Sequence, residues 1–166
     1  MEVVRSDTTK VIDNFLERPL FERIRDDLLD SQSVPWFHEK NISGGGEENN
    51  LYFTHLLFAE YKRTSNKFEC IEPLLSLINC HALIRAKLNM YPRTDVLVHH
   101  KDHVDYTFPH AAAIFSLNTC DGFTVIDGKE ISSIENRLIL FDPSIMHHST
   151  NCTTTQFRAN ININYF

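Results

Sequence analysis

From Ile84 onward the chain changes period. Ile84, Ala86, Leu88 and Met90 alternate with Arg85, Lys87, Asn89 and Tyr91, and because successive side chains on a strand point to opposite faces, the segment reads as a strand with one polar face. Further short strands are expected at residues 111–117, 123–126, 129–134, 137–141 and 158–165, with Asp127-Gly128 as a strong two-residue hairpin turn. Such a run argues for an antiparallel sandwich or barrel. Ahead of it lies a first half that reads as helical. After the apolar run at residues 11–16, Pro19 opens a segment whose Leu20, Phe21, Ile24 and Leu28 follow helical spacing. A second helix is expected over residues 73–81, with Ile71, Leu74, Leu75 and Ile78 on one face. The fold class expected is therefore mainly β with N-terminal helices, a jelly roll. A length of 166 residues suits one domain with a sizeable core, residues 1–83 serving as helical support and residues 84–166 as the β core.

Composition excludes some functions. Acidic residues (22) outnumber Lys plus Arg (16) for a net charge of −6, with the basic residues scattered, so the chain lacks a footprint for tracking phosphates and non-specific nucleic-acid binding is not expected. No N-terminal apolar leader and no membrane-length apolar segment is apparent, which leads us to expect a soluble, cytoplasmic protein. Cys70, Cys80, Cys120 and Cys152 are too irregularly spaced for a zinc knuckle and are expected as free, mostly buried thiols. Residues 43–50 (Ser-Gly-Gly-Gly-Glu-Glu-Asn-Asn) have almost nothing to bury and should form a mobile loop, either a lid or an idle surface insertion.

The chemistry-bearing residues concentrate in the second half. Six of nine histidines (His99, His100, His103, His110, His147, His148) lie between residues 99 and 148. Within them, His103 and Asp105 stand at i and i+2, so on an extended segment both reach one metal ion. A histidine from a later strand would complete a set of two imidazoles and one carboxylate, which leaves positions open on a ferrous ion for a co-substrate and O2. His-x-Asp is a weak motif alone, and His100-Lys101-Asp102 is a second copy. The last strand adds independent support: alternation puts Arg158, Asn160, Asn162 and Asn164 on one face and Ala159, Ile161, Ile163 and Tyr165 on the other. Asparagine is depleted in strands because its amide competes for backbone hydrogen bonds. Three in a row on one face point to a polar lining inside a ligand-holding fold more than to a solvent face. Arg158 supplies a planar fork suited to a carboxylate.

These blocks resemble the Fe(II)- and 2-oxoglutarate-dependent oxygenases, specifically the small prolyl-hydroxylase-like members found in bacteriophages and bacteria. The resemblance runs through Ile12-Asp-Asn-Phe-Leu16, the helix beyond it, Val34-Pro-Trp-Phe37, Ala86-Lys-Leu-Asn-Met-Tyr-Pro92, His103-Val-Asp105, Glu135 through Asp142, His147, and Arg158 through Tyr165, in the family's order. It implies a double-stranded β-helix, a cupin-like form of jelly roll. It implies that His103, Asp105 and His147 ligate the iron. His147 is preferred to His148 because its distance from Phe141, and Arg158 falling eleven residues later, fit the family pattern. The resemblance makes Arg158 the partner of the 2-oxoglutarate C5 carboxylate, assisted by Tyr91 and Asn160. The cofactors implied are Fe(II), 2-oxoglutarate as co-substrate and O2, with ascorbate as a stimulant. The activity implied couples decarboxylation of 2-oxoglutarate to succinate with hydroxylation of a substrate C–H, in a prolyl or other protein side chain; a viral member would work in the host cytoplasm. Where protein prolyl hydroxylases often carry glycines ahead of the His-x-Asp, this chain has residues 94–102 without one, so the substrate entrance departs from the pattern. Two other readings are a cupin-like metal-binding isomerase or binding module, which leaves Arg158 and its asparagine face unexplained, and a phage accessory domain with a decayed site.

Overall fold

The computed structural model describes residues 9–30, 32–39 and 51–166. The loop expected at residues 43–50 lies outside the described residues. In chain order the strands are β1 (Lys10–Ile12), β2 (Phe37–Glu39), β3 (Tyr52–Ala59), β4 (Lys62–Arg63), β5 (Leu83–Pro92), β6 (Ala111–Ser116), β7 (Phe123–Ile126), β8 (Lys129–Ser132), β9 (Leu138–Phe141), β10 (His147–Ser149) and β11 (Phe157–Tyr165). Two helices accompany them, α1 (Arg18–Leu29) and α2 (Glu72–Leu77), the latter continuing a 3-10 turn at Phe68–Ile71.

The strands form two antiparallel sheets. The larger runs β1-β9-β6-β11-β5-β3-β2, with β4 on β3, and the smaller runs β10-β7-β8. Neither sheet closes on itself among the described residues, so the arrangement is an open sandwich and not a barrel. β11 sits centrally, pairing Arg158 with Tyr91, Asn160 with Asn89 and Asn162 with Lys87 on β5, and Asn162 with Ile114 on β6. Period-two alternation then sorts the side chains. Ala86, Leu88, Ala113, Phe115, Ala159, Ile161 and Ile163 point one way and join Phe21, Ile24 and Leu28 of α1 in the main core. The opposite face carries Lys87, Asn89, Asn160 and Asn162 into a cavity of about 380 Å³ that the small sheet covers with Thr124, His147 and Ser149.

Local chemistry accounts for the elements. α1 starts with Pro19 in its first turn, where a missing N–H costs nothing. Its Phe21 meets Phe115 edge-on at 6.0 Å between ring centroids, a geometry that favours the ring quadrupoles. The β7–β8 hairpin turns on Asp127 and Gly128, both at positive φ (51° and 71°), as a type I′ turn requires. The buried side chain of Asn136 takes both backbone groups of Leu16 (2.9 and 2.8 Å), tying the N-terminal segment to the turn before β9.

The first half differs from the helical support expected of residues 1–83. It contains the eight-residue strand β3, which pairs with β5, and three shorter strands. β3 buries side chains on both faces, with Tyr52 and Thr54 on one and His55 and Leu57 on the other, so no polar–apolar alternation marks it. The second helix ends at Leu77, short of residue 81.

Candidate metal centre and co-substrate cavity

Between β5 and β6 the chain crosses to the small sheet in an extended loop. Isolated bridges strap this loop to β10 and to the residue just past it, His103 to His147 and His99 to Thr150. His103 and His147 exchange both backbone hydrogen bonds at 3.0 Å, which puts the two imidazoles side by side, with centroids 4.5 Å apart. The His-x-Asp segment is thus not part of a continuous strand. One bridge suffices to keep His103 and Asp105 on the same side.

His103, Asp105 and His147 are the described residues whose ligand atoms gather, all within 4.8 Å of one another. Nε2 of His103 and Nε2 of His147 lie 3.9 and 4.0 Å from the same oxygen, Asp105 Oδ1. The surroundings fix which atoms face inward. A carbonyl oxygen only accepts, so the 2.7 Å contact of His147 Nδ1 with Ile145 O puts a proton on Nδ1, and the lone pair of the neutral ring then lies on Nε2. That Nε2 is buried and has no hydrogen-bond partner among the described residues. The Asn164 amide donates to Asp105 Oδ2 at 2.7 Å, leaving Oδ1 toward the imidazoles with Arg85 Nη2 at 3.4 Å. Burial pushes the Asp105 carboxyl up, but the Asn164 amide and the Arg85 charge outweigh it and hold it below the ordinary carboxylate range. Burial, then His147, lowers the pKa of His103. The carboxylate is charged and the imidazole neutral, as metal ligation requires. An orphaned inward lone pair beside a charged carboxylate is a donor set that fits a divalent ion.

The second His-x-Asp copy does not gather. His100 bonds Ser149 Oγ at 2.7 Å and stacks on Tyr91 at 5.2 Å, whereas Asp102 turns to His148 Nδ1 at 2.6 Å. His148 completes a chain to His99 at 3.0 Å and borders the cavity without joining the three.

Arg158 lies at the other end of the polar face, 1% exposed. Nη1 donates to Thr150 O at 2.9 Å and Nη2 to Thr124 Oγ1 at 2.7 Å, and Nε is buried with no partner among the described residues. The guanidinium stacks against Tyr91, 5.4 Å from its ring centroid, and faces no carboxylate among the described residues. Burial therefore lowers its pKa. Gly122 makes room for it: a Cβ there would collide with Asn151 O and come within 2.8 Å of Arg158 Cδ. Tyr91 stacks on Tyr52 (5.5 Å), and Asn160 accepts from Asn89 Nδ2 at 3.0 Å. Two positions at the site escaped sequence reasoning. Thr124 is one: its oxygen accepts from Arg158, so its own O–H points elsewhere, and it borders the cavity. Gly122, which leaves room for Arg158, is the other, whereas Asn164, read from the sequence only as part of the polar face, proves to hold Asp105. Only the inter-strand packing reveals them.

No family model and no curated protein matches the sequence. In structure the chain is similar to a prolyl hydroxylase from Trichoplax adhaerens, solved in complex with a hypoxia inducible factor oxygen degradation domain peptide fragment. The two superpose with a TM-score of 0.71 at 16% identity, over 95% of this chain and 83% of that one. It is also similar to a 2OG-Fe(II) oxygenase family oxidoreductase from Burkholderia pseudomallei (TM-score 0.72, 12% identity, 95% and 84% covered). A viral collagen prolyl hydroxylase from Paramecium Bursaria Chlorella virus-1, in its 2OG complex, gives a TM-score of 0.58 at 12% identity over 96% and 97% of the two chains. The fold is thus the double-stranded β-helix of 2-oxoglutarate oxygenases. No helix among the described residues is long and apolar enough to cross a membrane.

Proposed function

We propose that this chain is an Fe(II)- and 2-oxoglutarate-dependent hydroxylase. One observation carries the reading: a fully buried guanidinium that faces no carboxylate among the described residues (Arg158) donates to Thr124, which lines the same cavity as three convergent metal-type donors. A buried charge without a partner is costly, and is retained where a ligand supplies the opposite charge. A cupin-like isomerase needs the three donors but has no use for Arg158.

In this reading His103, Asp105 and His147 hold the ion, which supplies O2 activation when bound. Ile145 O keeps His147 in the tautomer whose Nε2 faces inward, and Asn164 turns one Asp105 oxygen inward by holding the other. Arg158 and the Thr124 hydroxyl bind the far carboxylate of 2-oxoglutarate. Tyr91, stacked between Tyr52 and His100, walls that end from water, and Asn160 lines it beside Asn89. The peptide bound to the Trichoplax enzyme makes a protein side chain one candidate substrate here. The direct test is anaerobic addition of Fe(II) and 2-oxoglutarate. A weak visible absorption band that needs both, followed in air by succinate formation, is expected; succinate at background level with the metal bound would remove the reading.

A further inference from the structure

The polar face of β5 holds two more cations that this function does not use. Arg85 and Lys87 both line the cavity, two residues apart on one face and so separated by roughly 7 Å of strand. The Lys87 ammonium has a single polar contact among the described residues, donating to the Tyr52 hydroxyl oxygen at 3.4 Å, with the same ring 5.4 Å away. No carboxylate among the described residues lies within ion-pair distance of it; the fields of Asp105 and Glu39 reach it only through space. Burial, with Arg85 adding to it, pushes its pKa down to about 8. Arg85 leans on Asp105, its Nη2 3.4 Å from Oδ1, and on the oxygens of Asn164 (3.0 Å) and Asn162 (3.4 Å). Its Nε is buried and has no partner among the described residues.

A metal on Asp105 would draw on the same carboxylate charge that now balances Arg85. Arg158, several residues along the face beside Tyr91, already answers the far carboxylate of 2-oxoglutarate. The cavity then retains two inward cations without an assigned anion, beside the ion and not at the Arg158 end. We propose that Lys87 and Arg85 form an anion subsite that takes a carboxylate of the primary substrate, so that the bond to be hydroxylated lies close to an acidic group. The donors that line this part of the cavity match a carboxylate: the Lys87 ammonium and the Arg85 guanidinium for its two oxygens, with the Tyr52 hydroxyl, held protonated by burial, alongside. The proposal rests on the hydroxylase reading for the role of the occupant, but the subsite itself is built from this chain's own residues.

The test is binding, not turnover. Protein loaded with Mn(II) and saturating 2-oxoglutarate is titrated calorimetrically with a panel of N-acetyl amino acids, each against its uncharged N-methylamide. Acids are expected to bind at least tenfold more tightly than their amides. Lys87→Met should erase that preference while leaving 2-oxoglutarate affinity within about threefold, and Lys87→Arg should restore part of it. Equal binding of acids and amides by the wild type, no binding by either, or an unchanged preference in Lys87→Met overturns the proposal. A tenfold loss of 2-oxoglutarate affinity in Lys87→Met with the acid preference intact overturns it too, assigning Lys87 to the co-substrate. If 2-oxoglutarate itself fails to bind but a Lys87-dependent acid preference persists, the hydroxylase reading falls and the subsite stands.

Discussion

Along β11, Ala159, Ile161 and Ile163 turn toward α1, and Arg158, Asn160 and Asn164 turn toward the cavity; exposure is 3% or less on both sides. Equal burial of opposite chemistry means opposite contributions. Each methylene on the first face gains free energy on leaving water, whereas each amide and the guanidinium on the second gains little beyond the hydrogen bonds that offset its desolvation. The asparagines keep those bonds, Asn160 with Asn89 and Asn164 with Arg85 and Asp105. One face of the strand holds the fold and the other holds ligands.

The comparison breaks most sharply at the metal ligands. Asp105→Ala and His147→Ala should abolish stoichiometric retention of Fe(II) or Mn(II) after desalting while thermal unfolding stays cooperative, and His148→Ala should keep the metal. If the alanine variants unfold, the polar face carries stability and the division is wrong. Next in size is Ile161→Ala, a truncation in the main core, expected to cost about 2–5 kcal/mol in urea unfolding with metal content per folded molecule unchanged. Arg158→Ala should weaken 2-oxoglutarate binding by roughly ten- to a hundredfold, from the 1.5–3 kcal/mol of a charge-assisted bond. Lysine there should recover part of the loss and metal content should hold. Indistinguishable 2-oxoglutarate titrations would place the acid elsewhere.

The smallest effect belongs to His100, which burial, aided by the Arg158 charge, pushes down to about 3. An unfolded imidazole titrates near 6.5. In acid the unfolded chain takes a proton that the folded chain refuses, so this residue's share of stability is whole above that pH and is lost below it, by up to about 1.4 kcal/mol per pH unit. Metal-free protein should therefore be less stable at pH 5.5 than at pH 7.5 by about 1.4 kcal/mol on this account, and His100→Gln should flatten that slope in urea titrations. An unchanged slope would mean that His100 is protonated in the fold.

The sequence displayed this division where period two left one face polar. β5, β11 and the same-side pair His103 and Asp105 could be read because a half-polar strand announces its faces. β3 could not, because Thr54, His55 and Leu57 are buried on both sides of it. Arg85 and Lys87 stood in plain view as a polar face, but whether such a face meets solvent or a cavity depends on what covers it, and the small sheet is built from residues far along the chain. The brace of Asn164 on Asp105 and the space left by Gly122 arise from strand register and packing, which no local pattern contains.

The paired backbone of His103 and His147 has a consequence for how metal and folding are coupled. The two residues are far apart in the chain, and in the unfolded state bringing them together means closing a long loop. Folding performs that closure with two backbone hydrogen bonds, neither of which uses a side-chain ligand atom. An ion then finds the folded chain far more avidly than the unfolded one, and by mass action its free concentration sets the midpoint of unfolding. The melting temperature becomes a metal electrode: titrating the chelator at constant protein should move it logarithmically, and its slope counts the ions held per chain.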